Sequence, residues 1–199
     1  MLLFSLVLDL FSAGLILVPA CLVLNRICFH DLTKAALYCV FSFYLVAIYH
    51  LVGMPCITYI RPGLNLNLIP FADMLTSPRS TLLNVALFLP LGVLLPLIWK
   101  RFRNAKNTLR FGFGTTLAIE LLQILVSRAT DINDLITNTL GTFLGFLLAK
   151  ILMSHFPAVA HLAGYENHRE VYGICILVFC VMFFADPFLF TYFWNLILH

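Results

Sequence analysis

The sequence predicts an all-α, polytopic transmembrane helical bundle of about six spans, with a long loop or an interfacial or re-entrant piece between spans 2 and 3. Three observations carry this expectation. The 199 residues are 62% hydrophobic and only 11% charged, whereas soluble domains are about half apolar and a quarter charged. Mean hydropathy is +1.00, a composition unable to cover a soluble surface and suited to a lipid solvent. Apolar runs long enough to cross a bilayer, which takes about 20 residues, recur from one end of the chain to the other.

The first run, 3–24, carries Asp9 and lacks a basic leading segment, so it reads as a retained span rather than a signal peptide. Val18-Pro19-Ala20-Cys21 is only a faint likeness of a lipoprotein cleavage site. A second run covers 36–54. Residues 55–81 are then rich in Pro, Gly and Asn, and their apolar piece Leu66 to Leu75 is too short to span. Further runs follow at 82–99, 111–127, 135–153 and 172–197, with Asp186-Pro187 interrupting the last. The expected organisation is a single membrane domain over 1–199, with no room for a separate soluble domain. The six cysteines, mostly in or near apolar runs and without a CxxC pair, read as small hydrophobes rather than a disulfide framework or a zinc site.

Orientation comes from the cations. With six spans, nine of the twelve Lys and Arg fall on one side, five of them in Lys100 to Arg110. Arg61, Arg79 and Arg128 fall on the other. The basic side is expected to be cytoplasmic, including loop 100–110, with both termini extracytoplasmic. That loop is short and abuts two spans, so it reads as a topology anchor near anionic lipid, and nucleic acid is not an expected partner. The sequence does not address oligomeric state.

Scarce polar groups concentrate on the side opposite that loop. Glu120 sits within the fourth run, with Gln123 one turn later on nearly the same face. An ionisable group in hydrocarbon costs about 3 kcal/mol on insertion scales, so Glu120 should face a bundle interior or a wet cavity. Arg128, some turns above it, is a candidate partner. On the next helix Asp131, Asp134, Asn138, Gly141 and Gly145 recur at spacings of three and four, along one stripe. Asp131 suits an N-cap, and Gly141 and Gly145 permit a close helix contact. Asn84 opens the third run, and the preceding loop supplies Asn65, Asn67, Pro70, Phe71 and Arg79. Asp9 and Asp186 either join this group or pair with an Asn or backbone group, and the second is preferred.

Four ordered blocks follow from these positions: Asn67-Leu-Ile-Pro70-Phe71; Asn84-x-x-x-Phe88-x-Pro90-x-Gly92; Glu120-x-x-Gln123; and Arg128-x-x-Asp131-x-x-Asp134-x-x-x-Asn138-x-x-Gly141. Together they resemble the VanZ-like family over roughly residues 40 to 150, leaving extra first and last spans at 3–24 and 172–197. The resemblance implies a bacterial cytoplasmic-membrane protein affecting envelope chemistry or glycopeptide susceptibility. The family takes its name from a protein associated with teicoplanin resistance. It supplies no reaction.

Two function classes lead. A binding protein would hold a membrane lipid, a lipid-linked cell-wall precursor or a lipoglycopeptide in an outward-facing polar pocket. Asn67, Arg79, Asn84, Gln123, Arg128 and Asn138 would contact the polar headgroup. An intramembrane enzyme acting on such a substrate would use Glu120 as a desolvated general base. Asp131 and Asp134 would position substrate and Arg128 would stabilise developing negative charge. No nucleophile or resident metal is evident, and no cofactor is expected. A divalent cation at Asp131, Asp134 and Glu120 is the one candidate ion. Transport lacks the support of an inverted repeat, and the same polar residues could simply knit helices together.

Overall fold

Polar residues at the mouths of the apolar runs decide where the helices begin. The computed structural model describes residues 2–63, 65–67, 69–71, 78–156, 158 and 164–198. In chain order the elements are α1 (Leu2–Leu24), a π-helical turn (Asn25–Phe29), α2 (Leu32–Leu51) and the short strand β1 (Asn65–Asn67). Then come α3 (Pro78–Ile98), a 3-10 turn (Lys100–Arg103), α4 (Ala105–Gln123), a second 3-10 turn (Ile124–Val126) and β2 (Ala129–Asp131). The chain continues as α5 (Ile132–His155), α6 (Glu170–Cys180), a π-helical turn (Val181–Ala185) and α7 (Asp186–Leu198). Among the described residues, six helical stretches are long and apolar enough to cross a membrane.

Most helices start several residues before their apolar run, because the first turn is polar and capped. Asp31 caps α2 by accepting from the backbone N–H groups of Thr33 and Lys34. Asn104 caps α4 through Lys106 N, and Asp131 caps α5 through Asn133 N. At the other end, α2 stops before the expected residue 54. Gly53 adopts φ +61°, and the N–H groups of Gly53 and Met54 fold back onto the His50 and Tyr49 carbonyls. Helix α3 runs continuously through Pro90 and Pro96. The expected interruption at Asp186-Pro187 takes the form of the π-helical turn just before Asp186, with Pro187 in the first turn of α7, where a missing N–H costs least. Of the apolar piece 66–75, residues 68 and 72–75 lie outside the described residues. Asn65–Asn67 forms a strand rather than a helix.

The chain groups into two compact units, Met1–Ile60 with Arg169–His199, and Arg61–His168. In the first unit α1 packs on α2 and α7. Lys34 Nζ meets Glu170 at 2.9 Å, and the Tyr38 hydroxyl donates to the same carboxylate. Asp9 bonds the His50 ring, and Ser12 donates to Asp186. The two acids therefore pair with an imidazole and a hydroxyl, not with an Asn or the backbone. All six cysteines are free thiols.

In the second unit α3 and α5 form the most extensive helix pair. Glycines bring their backbones together. A Cβ on Gly92 would sit 2.0 Å from the Thr142 carbonyl oxygen, one on Gly141 2.3 Å from that of Val85, and one on Gly145 2.0 Å from that of Leu89. Such contacts are how helices associate where lipid removes the hydrophobic drive. At the far end of this unit Trp99 is fully buried, and the Tyr165 N–H donates to the Ile98 carbonyl.

Gly145→Val should cost at least about 3 kcal/mol, because backbone rather than a flexible side chain blocks the new atoms. Gly114, with nothing within 4 Å of an added Cβ, should accept Ala with unchanged or slightly higher thermal stability. Thermal unfolding of the two purified variants in the same detergent checks the contrast.

Candidate functional site

Glu120 lies in the last turns of α4 and is only 3% exposed. Beyond the Ile124–Val126 turn, Ser127 takes φ +55°, an uncommon conformation for a residue with a side chain. Its hydroxyl donates to the Arg61 carbonyl at 2.5 Å. A Cβ on Gly63 would lie 2.5 Å from that hydroxyl oxygen, so only glycine fits there without displacement. The reversal sends β2 back past the end of α4. The Thr130 hydroxyl donates to the Glu120 carbonyl at 3.1 Å, and the Asp131 N–H donates to Glu120 Oε2 at 2.9 Å.

The strand β2 also pairs in parallel with β1, Asn65 opposite Ala129 and Asn67 opposite Asp131. This register places the Asn67 amide on Asp131 Oδ2 at 3.1 Å. Asp131 Oδ1 accepts from both the backbone N–H and the side-chain amide of Asn133, at 2.8 and 2.9 Å. Both oxygens of Asp131 are thus occupied by N–H donors. The Asn133 amide also donates to the Ile69 carbonyl at 3.2 Å, while its Oδ1 accepts from the Phe71 N–H at 2.6 Å. Phe71 itself holds φ +66°, a conformation the Asn133 bond helps to retain.

Asn84 on α3 donates to Asp134 Oδ1 at 2.6 Å, joining α3 to the first turn of α5. One helical turn below Asp134, Asn138 donates to the Thr116 hydroxyl on α4 at 2.9 Å. Asn138 is 3% exposed, and among the described residues its Oδ1 has no hydrogen-bond partner. A buried acceptor left without a donor is costly.

Most residues expected from sequence come together here. Asn67, Asp131 and Glu120 are joined by hydrogen bonds, Asn84 with Asp134 makes a second link and Asn138 with Thr116 a third, together a ladder of separate rungs across β1, α3, α4, β2 and α5. Gln123 is buried beside it, its carbonyl accepting from the Arg128 N–H at 3.2 Å. The Arg128 side chain is exposed, and its charge lies within electrostatic reach of Glu120 together with those of Asp131 and Asp134. The direct donor to Glu120 is the Asp131 backbone, because the turn at Ser127 folds the chain back upon the helix. Arg79 is exposed in the first turn of α3. Among the described residues no three His, Cys, Asp or Glu side chains are grouped as a metal site. Asn133, Thr116 and Thr130 were not singled out from sequence. Asn133 lies off the Asp131–Asp134–Asn138 stripe, and its signal was a second amide directly behind a capping aspartate.

The sequence profile of the VanZ/LLP1 family matches residues 20–153, well over half of the chain and every residue of this ladder. The chain belongs to the VanZ/LLP1 family. Among curated relatives, Protein VanZ of Enterococcus faecium is 36% identical over 94 residues, a match covering 46% of this chain and 56% of that protein. The chain therefore matches about half the length of that VanZ relative. No solved structure matches it. The VanZ-like blocks read from sequence are the segments whose side chains meet in the ladder.

Asn133→Ala removes two donations and one acceptance from a buried junction and should cost about 3 kcal/mol. Thermal unfolding should show that loss, and limited proteolysis should show faster cleavage near 69–71. Arg79→Ala, at an exposed helix start, should leave both measurements near wild type.

Proposed function

We propose that this membrane protein binds the polar headgroup of a lipid, a lipid-linked cell-wall precursor or a lipoglycopeptide at the Glu120–Asp131–Asn138 ladder. Through that ligand it would influence glycopeptide susceptibility. The observation that supports this reading is the buried Asn138 Oδ1, without a donor among the described residues, beside carboxylates whose own hydrogen bonds are made. An acceptor in that position suits an amide or hydroxyl donor of a headgroup. Arg79 and Arg128, both exposed in the same unit, suit the phosphate or carboxylate of such a ligand. Apolar helix surface suits its chains, and Leu82, at the start of α3, is 68% exposed.

The alternative is an intramembrane enzyme on the same class of substrate, with Glu120 as general base. Its support is the burial of Glu120 among Asp131, Asp134 and Arg128. A divalent cation at the three carboxylates would belong to this alternative.

Gentle extraction followed by native mass spectrometry should find an anionic lipid or lipid-linked precursor on the wild-type protein. Asn138→Leu should reduce its occupancy at least about tenfold, the loss expected from one buried hydrogen bond. Glu120→Gln can still accept from the Asp131 N–H and should remain folded. If it retains the ligand, binding stands; if it retains the ligand but abolishes a chemical conversion of it, the enzyme reading takes over.

We further infer that the protein lies in the bacterial cytoplasmic membrane with loop 100–110 inside and both termini outside. A C-terminal alkaline phosphatase fusion should then be active. A fusion within 103–107 should be inactive, and the reverse pattern would overturn the orientation.

A further inference from the structure

We propose that the first unit carries a second ligand site, a cavity lined from α1, α2 and α7 that binds a small organic ammonium group, either a free amine or the headgroup of a membrane lipid. The cavity has a volume of about 290 Å³, near the lower end of the size range of small-molecule sites. Asp9, His50 and Asp186 line it, contributed by three separate helical segments. His50 Nδ1 bonds Asp9, and Ser12 donates to Asp186, which is 4% exposed.

The charge count decides the ligand class. A protonated His50 neutralises Asp9 and leaves the Asp186 carboxylate with a neutral hydroxyl donor. A neutral His50 leaves two carboxylates. None of the described residues lining the cavity is Lys or Arg, so with both acids ionised the cavity is negative in either state of His50. Ionisable groups within spans are characteristically paired or functional. Tyr49 and Phe190 add aromatic surface to the wall, and such rings attract alkylammonium groups. Met182 and Pro187 supply apolar surface for the carbon substituents. The π-helical turn Val181–Ala185 immediately precedes Asp186, and turns of this kind recur at functional sites. All the lining residues belong to the first unit, whereas the ladder's residues belong to the second.

The test is isothermal titration calorimetry of ethylammonium and tetramethylammonium into the full chain, held in nanodiscs of phosphatidylglycerol alone. Saturable binding is expected, weakened at least tenfold in Asp186→Asn. Thr191 is exposed on the cavity wall, so Thr191→Lys should fold normally and place a tethered ammonium at the site, weakening binding to the same degree. Nanodiscs containing phosphatidylethanolamine separate the two sources. A raised apparent Kd for the free amine identifies the lipid headgroup as occupant, and an unchanged Kd identifies a soluble amine. Absence of saturable binding in the phosphatidylglycerol discs, or binding undiminished in folded Thr191→Lys, overturns the proposal and leaves these acids as helix-to-helix links.

Discussion

Hydrocarbon offers a polar group no partner except another part of the protein, and the placement of acids in this chain follows from that constraint. Asp9, Glu120, Asp134 and Asp186 all lie within spanning helices. Their hydrogen-bond donors are an imidazole, a backbone N–H, an amide and a hydroxyl, respectively. The backbone N–H, the amide and the hydroxyl are neutral donors, which stabilise a carboxylate without cancelling its charge. These bonds hold the spans together.

Within the second unit, Asp131 is where backbone and side-chain demands converge. Its N–H serves Glu120, one carboxylate oxygen caps α5, and the other receives Asn67 from the paired strand. The cap is local, but the bonds to Glu120 and Asn67 depend on the reversal at Ser127, which makes β2 run beside α4 rather than away from it. Two three-residue strands at the end of a helical bundle carry backbone groups that would otherwise lack partners. Pairing them with each other, and fastening the neighbouring turn through Asn133, removes that cost. Close backbone contact between α3 and α5 is the complementary requirement, because Asn84 reaches Asp134 only if the two helices lie nearly against each other. Gly92, Gly141 and Gly145 permit that approach.

The parts of this arrangement legible in sequence are those governed by local period. Six apolar runs gave six spanning helices, and spacings of three and four put Asp131, Asp134 and Asn138 on one side of α5. Helix starts were less legible because an apolar-run criterion ignores capped polar turns such as Asp31 and Asn104. Partners depending on chain reversal could not be read at all. Nothing local marks Ser127 as left-handed, so Arg128 looked as good a partner for Glu120 as the Asp131 backbone. Asn133 was hidden because its role is to satisfy the Ile69 carbonyl and the Phe71 N–H, groups that acquire a direction only once the loop is folded. Asp9 and Asp186 were recognised as unusual, but their partners are 41 and 174 residues away.

The family match divides the polar groups of this chain into two sets. Residues 20–153 contain all of the ladder and all of the glycine contacts between α3 and α5. They contain His50 and Tyr49 but neither Asp9, Ser12 nor Asp186. A chain holding only the matched region would keep the ladder's hydrogen bonds. It would leave His50 at the end of α2 without either acid. An imidazole can stay in such a place neutral; two buried carboxylates cannot stay there cheaply without donors. Asp9 therefore depends on the family region for its imidazole partner, whereas Asp186 takes its hydroxyl donor from Ser12 on α1. The first unit is thus tied together by one bond that uses the matched region, His50 to Asp9, and one that does not, Ser12 to Asp186.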